Sequence, residues 1–300
     1  MRYEARAPLR IDFAGGWTDV PIFAETEGGA VLNAAITRYA RGFISRPEGN
    51  GVLRALRSDR SYVSYSLDVP AGAGLGASAA QNVLWATLVR TAIENTATRI
   101  DIAEMAAQIA GVLGILGGKQ DEYASALGGF NYLSFTDSVT AERLSLEPPI
   151  ADALRARLLL VYSGQSRISG GVHNLVWQRY RADESGVRSV LSRPARIAGE
   201  MRSALLAHDL EAFGGLIHEN WEKQKELHPA INTSAIEDLI GRGLKAGAQA
   251  AKACGAGGGG CILFFAREGE TERLRSAVES RRSPVIDFDF DAYGVHLRKA

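Results

Sequence analysis

The chain has 300 residues, 46% hydrophobic and 23% charged, with 34 basic and 34 acidic side chains. This balance predicts a soluble globular protein of one large domain or two smaller ones. A net charge of zero gives no electrostatic ground for a nucleic-acid or anionic-membrane partner. No stretch approaches the ~18 apolar residues of a membrane span, and Met1-Arg2-Tyr3-Glu4 opens no apolar signal segment. A cytoplasmic location is therefore expected. Cys254 and Cys261 have no metal-ligand spacing and read as small buried hydrophobes.

Residues 1–14 alternate like a strand and break at Gly15-Gly16. The block Ala7–Asp19 carries Arg10 and Asp12 on that strand, then presents Trp17, Thr18 and Asp19 just after the glycine pair. An aromatic ring, a hydroxyl and a carboxylate so grouped suit a polyhydroxylated ligand: Asp19 accepts from hydroxyls and Trp17 covers an apolar ring face. A turn with Asp19 as its capping residue is the alternative. Gly29–Ile36, Tyr39–Arg46, Val52–Arg57 and Ser61–Val69 read as successive short strands, with a hairpin signal at Pro47-Glu48-Gly49-Asn50-Gly51.

The stretch Pro70–Ala80, PAGAGLGASAA, lies between a strand and a helix over Ser78–Ala97 whose Ala80, Leu84, Leu88 and Ala92 share one face. Glycines at 72, 74 and 76 let the backbone curl close to a ligand. The helix start offers unpaired N–H groups and a positive dipole end. The stretch reads as a phosphate cradle. Gly72, Gly74 and Ala77 also fit G-x-G-x-x-A, the turn of a dinucleotide fold. That fold expects an acidic side chain ~20 positions further on, at the end of a second strand. The one candidate, Glu94, lies inside the helical run, so a dinucleotide fold is not expected. A Walker A loop is excluded because Gln120 follows Gly118-Lys119.

Asp101–Leu113 reads as a second helix with Asp101 and Glu104 as a capping pair. Lys119-Gln120-Asp121-Glu122 then sits between glycine pairs, a plausible catalytic turn. Gly129–Phe135 reads as a strand and Glu142–Asp152 as the link between two halves. Leu158–Tyr162 is an apolar strand ending in Ser163-Gly164-Gln165-Ser166-Arg167, whose serine, glycine and arginine suit a phosphate or sugar hydroxyls, a surface position for Arg167 being the alternative. Residues 172–227 are helical in pattern, broken near Ser192-Arg193-Pro194 and Asp209. Ile236–Lys252 is a further helix, leading into Gly255–Gly260 and the strand Ile262–Ala266. Four consecutive glycines are costly to order, which points to a backbone pressed against a ligand or another segment.

Taken in order, Ala7–Asp19, Pro70–Ala80 and Gly255–Gly260 resemble the three motifs of the GHMP small-molecule kinases, and the resemblance covers nearly the whole chain. It implies an α+β fold: a ribosomal protein S5 domain 2-like N-terminal domain over 1–150 and a ferredoxin-like C-terminal domain over 151–300, with the site between them. Within the family, Ala7-Pro8-Leu9-Arg10-Ile11, Gly118-Lys119-Gln120-Asp121 and Ser163–Arg167 are similar to the heptose 7-phosphate kinase branch. Trp17 stands where that branch commonly has glycine and is similar to the fucokinase-like branch.

The resemblance implies an ATP-dependent sugar kinase acting at the anomeric C1 hydroxyl of a heptose 7-phosphate or related sugar phosphate. The alternatives are a fucose-like sugar, or a catalytically weak nucleotide- or sugar-binding homologue. By resemblance, Asp121 is the catalytic aspartate with Arg10 beside it. Gly72, Gly74, Leu75, Gly76, Ala77, Ser78 and Ala79 wrap the ATP phosphates, and Gly257, Gly258 and Gly259 close against them. Gly16, Trp17, Thr18, Asp19, Lys119 and Arg167 face the sugar. Mg2+ is expected on Ser78, and the family's usual glutamate ligand aligns with Ala110. That leaves Ser78, ATP and water, or another acid such as Glu122, to hold the metal. No oligomeric state is legible.

Overall fold

A computed structural model describes residues 2–45, 63–92, 96–115, 117–166, 169–182 and 186–300. The expected hairpin at 47–51, the expected strand at 52–57, Glu94 and Arg167 lie outside the described residues.

The first layer is an antiparallel sheet. β1 (Arg2–Ala14) pairs along its length with β2 (Gly29–Ser45). The two strands expected at 29–36 and 39–46 are one 17-residue strand, kept continuous by a register shift opposite Pro8/Leu9 that absorbs Thr37-Arg38. The other side of β2 is shared: β3 (Val63–Leu67) takes its far end and β4 (Phe130–Phe135) its near end. β5 (Val139–Leu144) pairs with β4, and β9 (His296–Lys299) returns to the free side of β1. The stretch 142–152, expected as the link between halves, is made of ordered elements. Its first residues finish an edge strand with one exposed face, and Pro148–Arg157 is a helix, with proline at its first turn where the missing N–H costs nothing.

Three helices cover this sheet: α2 (Ala77–Ala92), α3 (Arg99–Val112) and α4 (Gln120–Leu127), α1 being the short Pro21–Glu27. α2 buries Ala80, Leu84 and Leu88 of the stripe its spacing predicts, with Val83 beside them, against β1 and β2. At the crossing, Gly42 leaves no room for a Cβ, because Leu84 Cδ2 would lie 2.8 Å away. α3 is capped by Thr98 and Asp101, which form a reciprocal capping box. Glu104 is not the capping partner expected of it.

The second half holds a three-stranded antiparallel sheet in the order β6 (Leu158–Tyr162), β8 (Cys261–Ala266), β7 (Ala248–Ala253). Around it stand α5 (Pro148–Arg157), α6 (Ser169–Arg181), α7 (Val187–Leu206), α8 (Leu210–Leu227), α9 (Ser234–Lys245) and α10 (Thr271–Val278). α7 runs through Pro194. The expected break near Asp209 is present: the chain turns at Ala207–Asp209, and Asp209 caps α8. The helix expected over 236–252 stops at Lys245: Gly247 takes φ +106° and the chain turns into β7.

The two halves are not separate cores. α7 and α8 supply Ile197, Met201, Leu205 and Phe213 to the cluster built around the first sheet, and Phe213 meets Phe13 edge-on at 5.3 Å. β1 is consequently buried on both faces from Ala7 to Ala14, with Leu9, Ile11 and Phe13 alternating with Arg10 and Asp12.

Candidate active site

β1 delivers two ionised side chains, two residues apart and therefore on one strand face, to the place where the glycine loops meet. Arg10 is the hub. Its Nε–H and Nη2–H donate to Asp121 Oδ1 and Oδ2 at 2.6 and 2.8 Å, a bidentate pair. Its Nη1–H donates to the Gly74 carbonyl at 2.7 Å, and its backbone N–H to the Leu75 carbonyl at 3.1 Å. Burial opposes the guanidinium charge, but Asp121 and Asp12 outweigh it and hold Arg10 protonated well above its ordinary range. Asp121, on the first turn of α4, keeps 26% of its side chain exposed while its partner is buried.

The loop itself places Gly72, Gly74 and Gly76 at φ +73°, +77° and +72°. These conformations need glycine. At Gly76 a Cβ would also lie 3.2 Å from Asp121 Oδ2. The first helical acceptor of α2 is the Gly76 carbonyl, which receives the Ala80 N–H at 2.9 Å. The amides of Ala77, Ser78 and Ala79 thus have no helical partner, and the Ser78 side chain is exposed beside them. This geometry fits a polyphosphate at the N-terminus of a 16-residue helix.

The third glycine block closes on the loop differently from the expectation for Gly257–Gly259. Gly260 makes the contact: a Cβ there would meet the Ala73 carbonyl at 2.7 Å, and the adjacent Cys261 N–H donates to that same carbonyl at 2.8 Å. Gly257 and Gly258 pack instead on Ala230 and Ile231, and Gly258 N–H donates to the Ile231 carbonyl at 2.7 Å. Ser166 Oγ donates to the Ala71 carbonyl at 2.8 Å, so the turn after β6 also touches the loop.

On the acceptor side, Asp19 is buried. Its Oδ2 accepts the Gln120 N–H at 3.1 Å and lies where a Cβ on Gly118 would be. Burial, with the nearby Asp121 charge, pushes its carboxyl up to about 7. Glu122 is buried too, with Oε2 unpartnered; burial and Asp121 push it up to about 8. Gly16 approaches this group closely, a Cβ there being 3.1 Å from Asp12 Oδ2 and 3.4 Å from Gln120 Nε2.

Two expected sugar contacts are turned inward. Thr18 is fully buried, its hydroxyl donating to the Gly15 carbonyl at 2.7 Å and accepting the Ala30 N–H at 3.1 Å, so it staples the turn to β2. Trp17, only 4% exposed, stacks on His173 at 4.5 Å and abuts Trp177, so its ring covers a helix rather than an open pocket. Its φ is +81°. That is a strained backbone for a bulky residue. Lys119 donates to Glu104 Oε2 at 2.8 Å, and Tyr123 OH to Glu104 Oε1 at 2.6 Å, so the Lys119 ammonium is paired with Glu104.

Three participants have no role in the sequence reading. Lys252 of β7, fully buried, donates to Asp12 Oδ2 and to the Asp12 carbonyl, each at 2.7 Å. Beside it, Gly255 N–H donates to Asp12 Oδ1 at 2.9 Å. From α8, Asn220 accepts the Gly15 N–H at 3.1 Å and Gln224 donates to the Gly255 carbonyl at 2.8 Å, so one helix holds both glycine turns. A lysine inside the alanine-rich run AQAAKA is the signal that could have marked Lys252, since a lone lysine is buried only when paired.

Two family models match the chain, the GHMP kinases N-terminal domain over residues 49–129 and the GHMP kinases C-terminal model over 201–283, between them more than half of it. The chain belongs to the GHMP kinases. It is accordingly a phosphotransferase with the α+β fold of that family. It is 26% identical over 342 residues to a D-glycero-alpha-D-manno-heptose 7-phosphate kinase of Campylobacter jejuni, covering 97% of each chain. It is 25% identical to the bifunctional fucokinase/GDP-fucose pyrophosphorylase of Arabidopsis thaliana, spanning 97% of this chain and 32% of that one. A solved D-glycero-D-manno-heptose 1-phosphate kinase from Bacteroides thetaiotaomicron superposes with a TM-score of 0.80 over 99% of both chains, at 24% identity. Among the described residues, no helix of this GHMP kinase is long and apolar enough to cross a membrane, and no group of three or more His, Cys, Asp or Glu could hold a metal ion.

Proposed function

We propose that this GHMP kinase transfers the γ-phosphate of ATP to the anomeric C1 hydroxyl of a heptose 7-phosphate or a related long-chain sugar phosphate. The observation that carries the reading is the bidentate Arg10–Asp121 pair, tied by the same guanidinium to the Gly74 carbonyl of the phosphate loop. A carboxylate so held faces the nucleotide cradle with one side open. The similarity to a heptose 7-phosphate kinase along the whole chain supports the sugar.

In this reading the amides of Ala77, Ser78 and Ala79, with the curled backbone of Gly72–Gly76, bind the ATP phosphates. Asp121 accepts the proton of the attacking hydroxyl as its oxygen bonds to the γ-phosphorus, and the bond to the ADP oxygen breaks. Arg10 fixes the plane of the Asp121 carboxylate. Ser78 with the nucleotide oxygens and water would hold Mg2+, which neutralises the phosphate charge; Mg2+ tolerates such a sparse protein set. Asp19 and the Gly118–Gln120 turn frame the acceptor, with Gly16 beneath them. Arg167 is the proposed partner of the substrate's own phosphate. The units 1–150 and 151–300 are proposed to flank the site, and the protein is proposed to work in the cytoplasm.

Purified protein with ATP, Mg2+ and heptose 7-phosphate should release ADP. Asp121→Ala should lower kcat by about 10²–10⁴-fold, the usual worth of a positioned base. No ADP above background across free and phosphorylated sugars, fucose included, defeats the reading. A second reading, a binding protein with weak catalysis, is favoured by Ala110 at the expected metal-ligand position. It predicts ATP binding by calorimetry without turnover at high Mg2+ or Mn2+.

A further inference from the structure

Among the described residues, a fully buried charge pair sits outside the reacting centre. Lys252 has no exposed surface and Asp12 retains 1%. Taking an ammonium and a carboxylate out of water is unfavourable, and an aliphatic pair of the same shape would often serve stability as well. The Asp12 carboxylate lies 4.0 Å from Arg10 Nη1, while Asp121 binds the same guanidinium at 2.6 and 2.8 Å. Two carboxylates therefore border one guanidinium. Asp12 is the better buried of the two, so, unneutralised, it would exert the stronger pull. Its oxygens are engaged elsewhere, Oδ2 by the Lys252 ammonium, which neutralises its charge, and Oδ1 by the Gly255 N–H. Burial raises the Asp12 carboxyl, but Lys252, Arg10 and the Gly255 amide outweigh it and keep it ionised.

We propose that Lys252 is a positioning residue for phosphoryl transfer: by neutralising Asp12 it leaves the Arg10 guanidinium to Asp121. The inference rests on the reading of Asp121 as the carboxylate that faces the acceptor hydroxyl. It assigns to β7, in the second half of the chain, control over a side-chain pair held between β1 and α4 in the first. In a chain without the Lys252 charge, Arg10 rotates toward Asp12, and Asp121 loses the partner that fixes its plane beside Asp19 and Glu122.

The test compares Lys252→Met with Lys252→Met/Asp12→Asn, which removes the competing charge as well. Lys252→Met should lower kcat, per folded molecule, at least tenfold, while ATP affinity by calorimetry stays within about threefold. Adding Asp12→Asn should restore kcat at least fivefold, because Arg10 then has only one carboxylate to bind. Where Lys252→Met fails to fold, Lys252→Gln keeps a donor beside Asp12 without the charge and should show the same loss and rescue. Wild-type kcat per folded molecule with only a lowered Tm overturns the proposal, since the pair is then a structural staple. A loss of ATP affinity that matches the loss of kcat overturns it also, since the pair then holds the glycine loops together. If the wild-type chain turns over no sugar, the kinase reading fails. A crystal structure of Lys252→Met then decides the inference: Arg10 within hydrogen-bond distance of Asp12 supports it, and an unmoved Arg10–Asp121 pair overturns it.

Discussion

Asp12, Asp19, Asp121 and Glu122 are four carboxyl groups within electrostatic reach of one guanidinium. Asp121 is paired with it and Asp12 with Lys252, whereas burial pushes the protons of Asp19 and Glu122 to be held at higher pH. Raised carboxyl values reverse the usual acid dependence of stability. Between the unfolded value near 4.3 and the folded value of about 8, native Glu122 binds the proton that the unfolded chain has released. Its contribution is therefore complete below about pH 4.3 and is lost as pH rises through 8; Asp19 behaves likewise up to about 7. Glu122→Gln should raise Tm by several degrees at pH 8 and change it little at pH 5, as read by calorimetric scans without ligand. An equal change at both values would mean that the carboxyl is ionised in the native state.

Among the elements, the glycine turns are set by contacts that no side chain could tolerate. Gly260 has φ +79° and backs onto the Ala73 carbonyl, which a Cβ would meet at 2.7 Å. Alanine there meets both backbone strain and that carbonyl. Gly260→Ala should weaken ATP binding roughly tenfold in calorimetry, consistent with about 1–2 kcal/mol of displaced loop. A Gly269→Ala control, whose φ is also positive but with nothing within 4 Å, should leave affinity unchanged. The glycine blocks are readable because their composition is so unfavourable for ordinary structure. Leu158–Tyr162 is readable because an unbroken apolar run has few other uses. β7 is not, because AQAAKA is rich in helix formers and becomes a strand only through its ladder to β8 and burial on nearly every residue. The same tertiary override hides Lys252, whose partner lies 240 residues away. Thr18 and Trp17 are legible as a cluster but not in direction: nothing in WTD says that the hydroxyl turns to Gly15 and the ring to His173.

At the level of the whole molecule, the order of glycine blocks makes the fold class legible, while the sharing of cores is not. The sheet of the first half depends on Ile197, Met201, Leu205 and Phe213 from the second. Each such deletion removes a buried side chain worth roughly 2–5 kcal/mol. Residues 1–150 expressed alone should therefore lack cooperative unfolding and slow hydrogen exchange in β1 and β2, and adding the second half should restore both. A protected, cooperative fragment would mean that the halves fold independently. The last strand carries a further consequence. β9 lies antiparallel to β1, with Tyr3 opposite Lys299 and the Ala300 N–H bonded to the Arg2 carbonyl at 2.9 Å. A few glycines and serines can thus splice one end to the other, and new ends can be opened at the exposed Thr136–Ser138 bend between β4 and β5. Such a circular permutant should keep its affinity for ATP while moving both termini to the far edge of the sheet, where a tag or a fused fluorophore stands clear of the strand that carries Arg10.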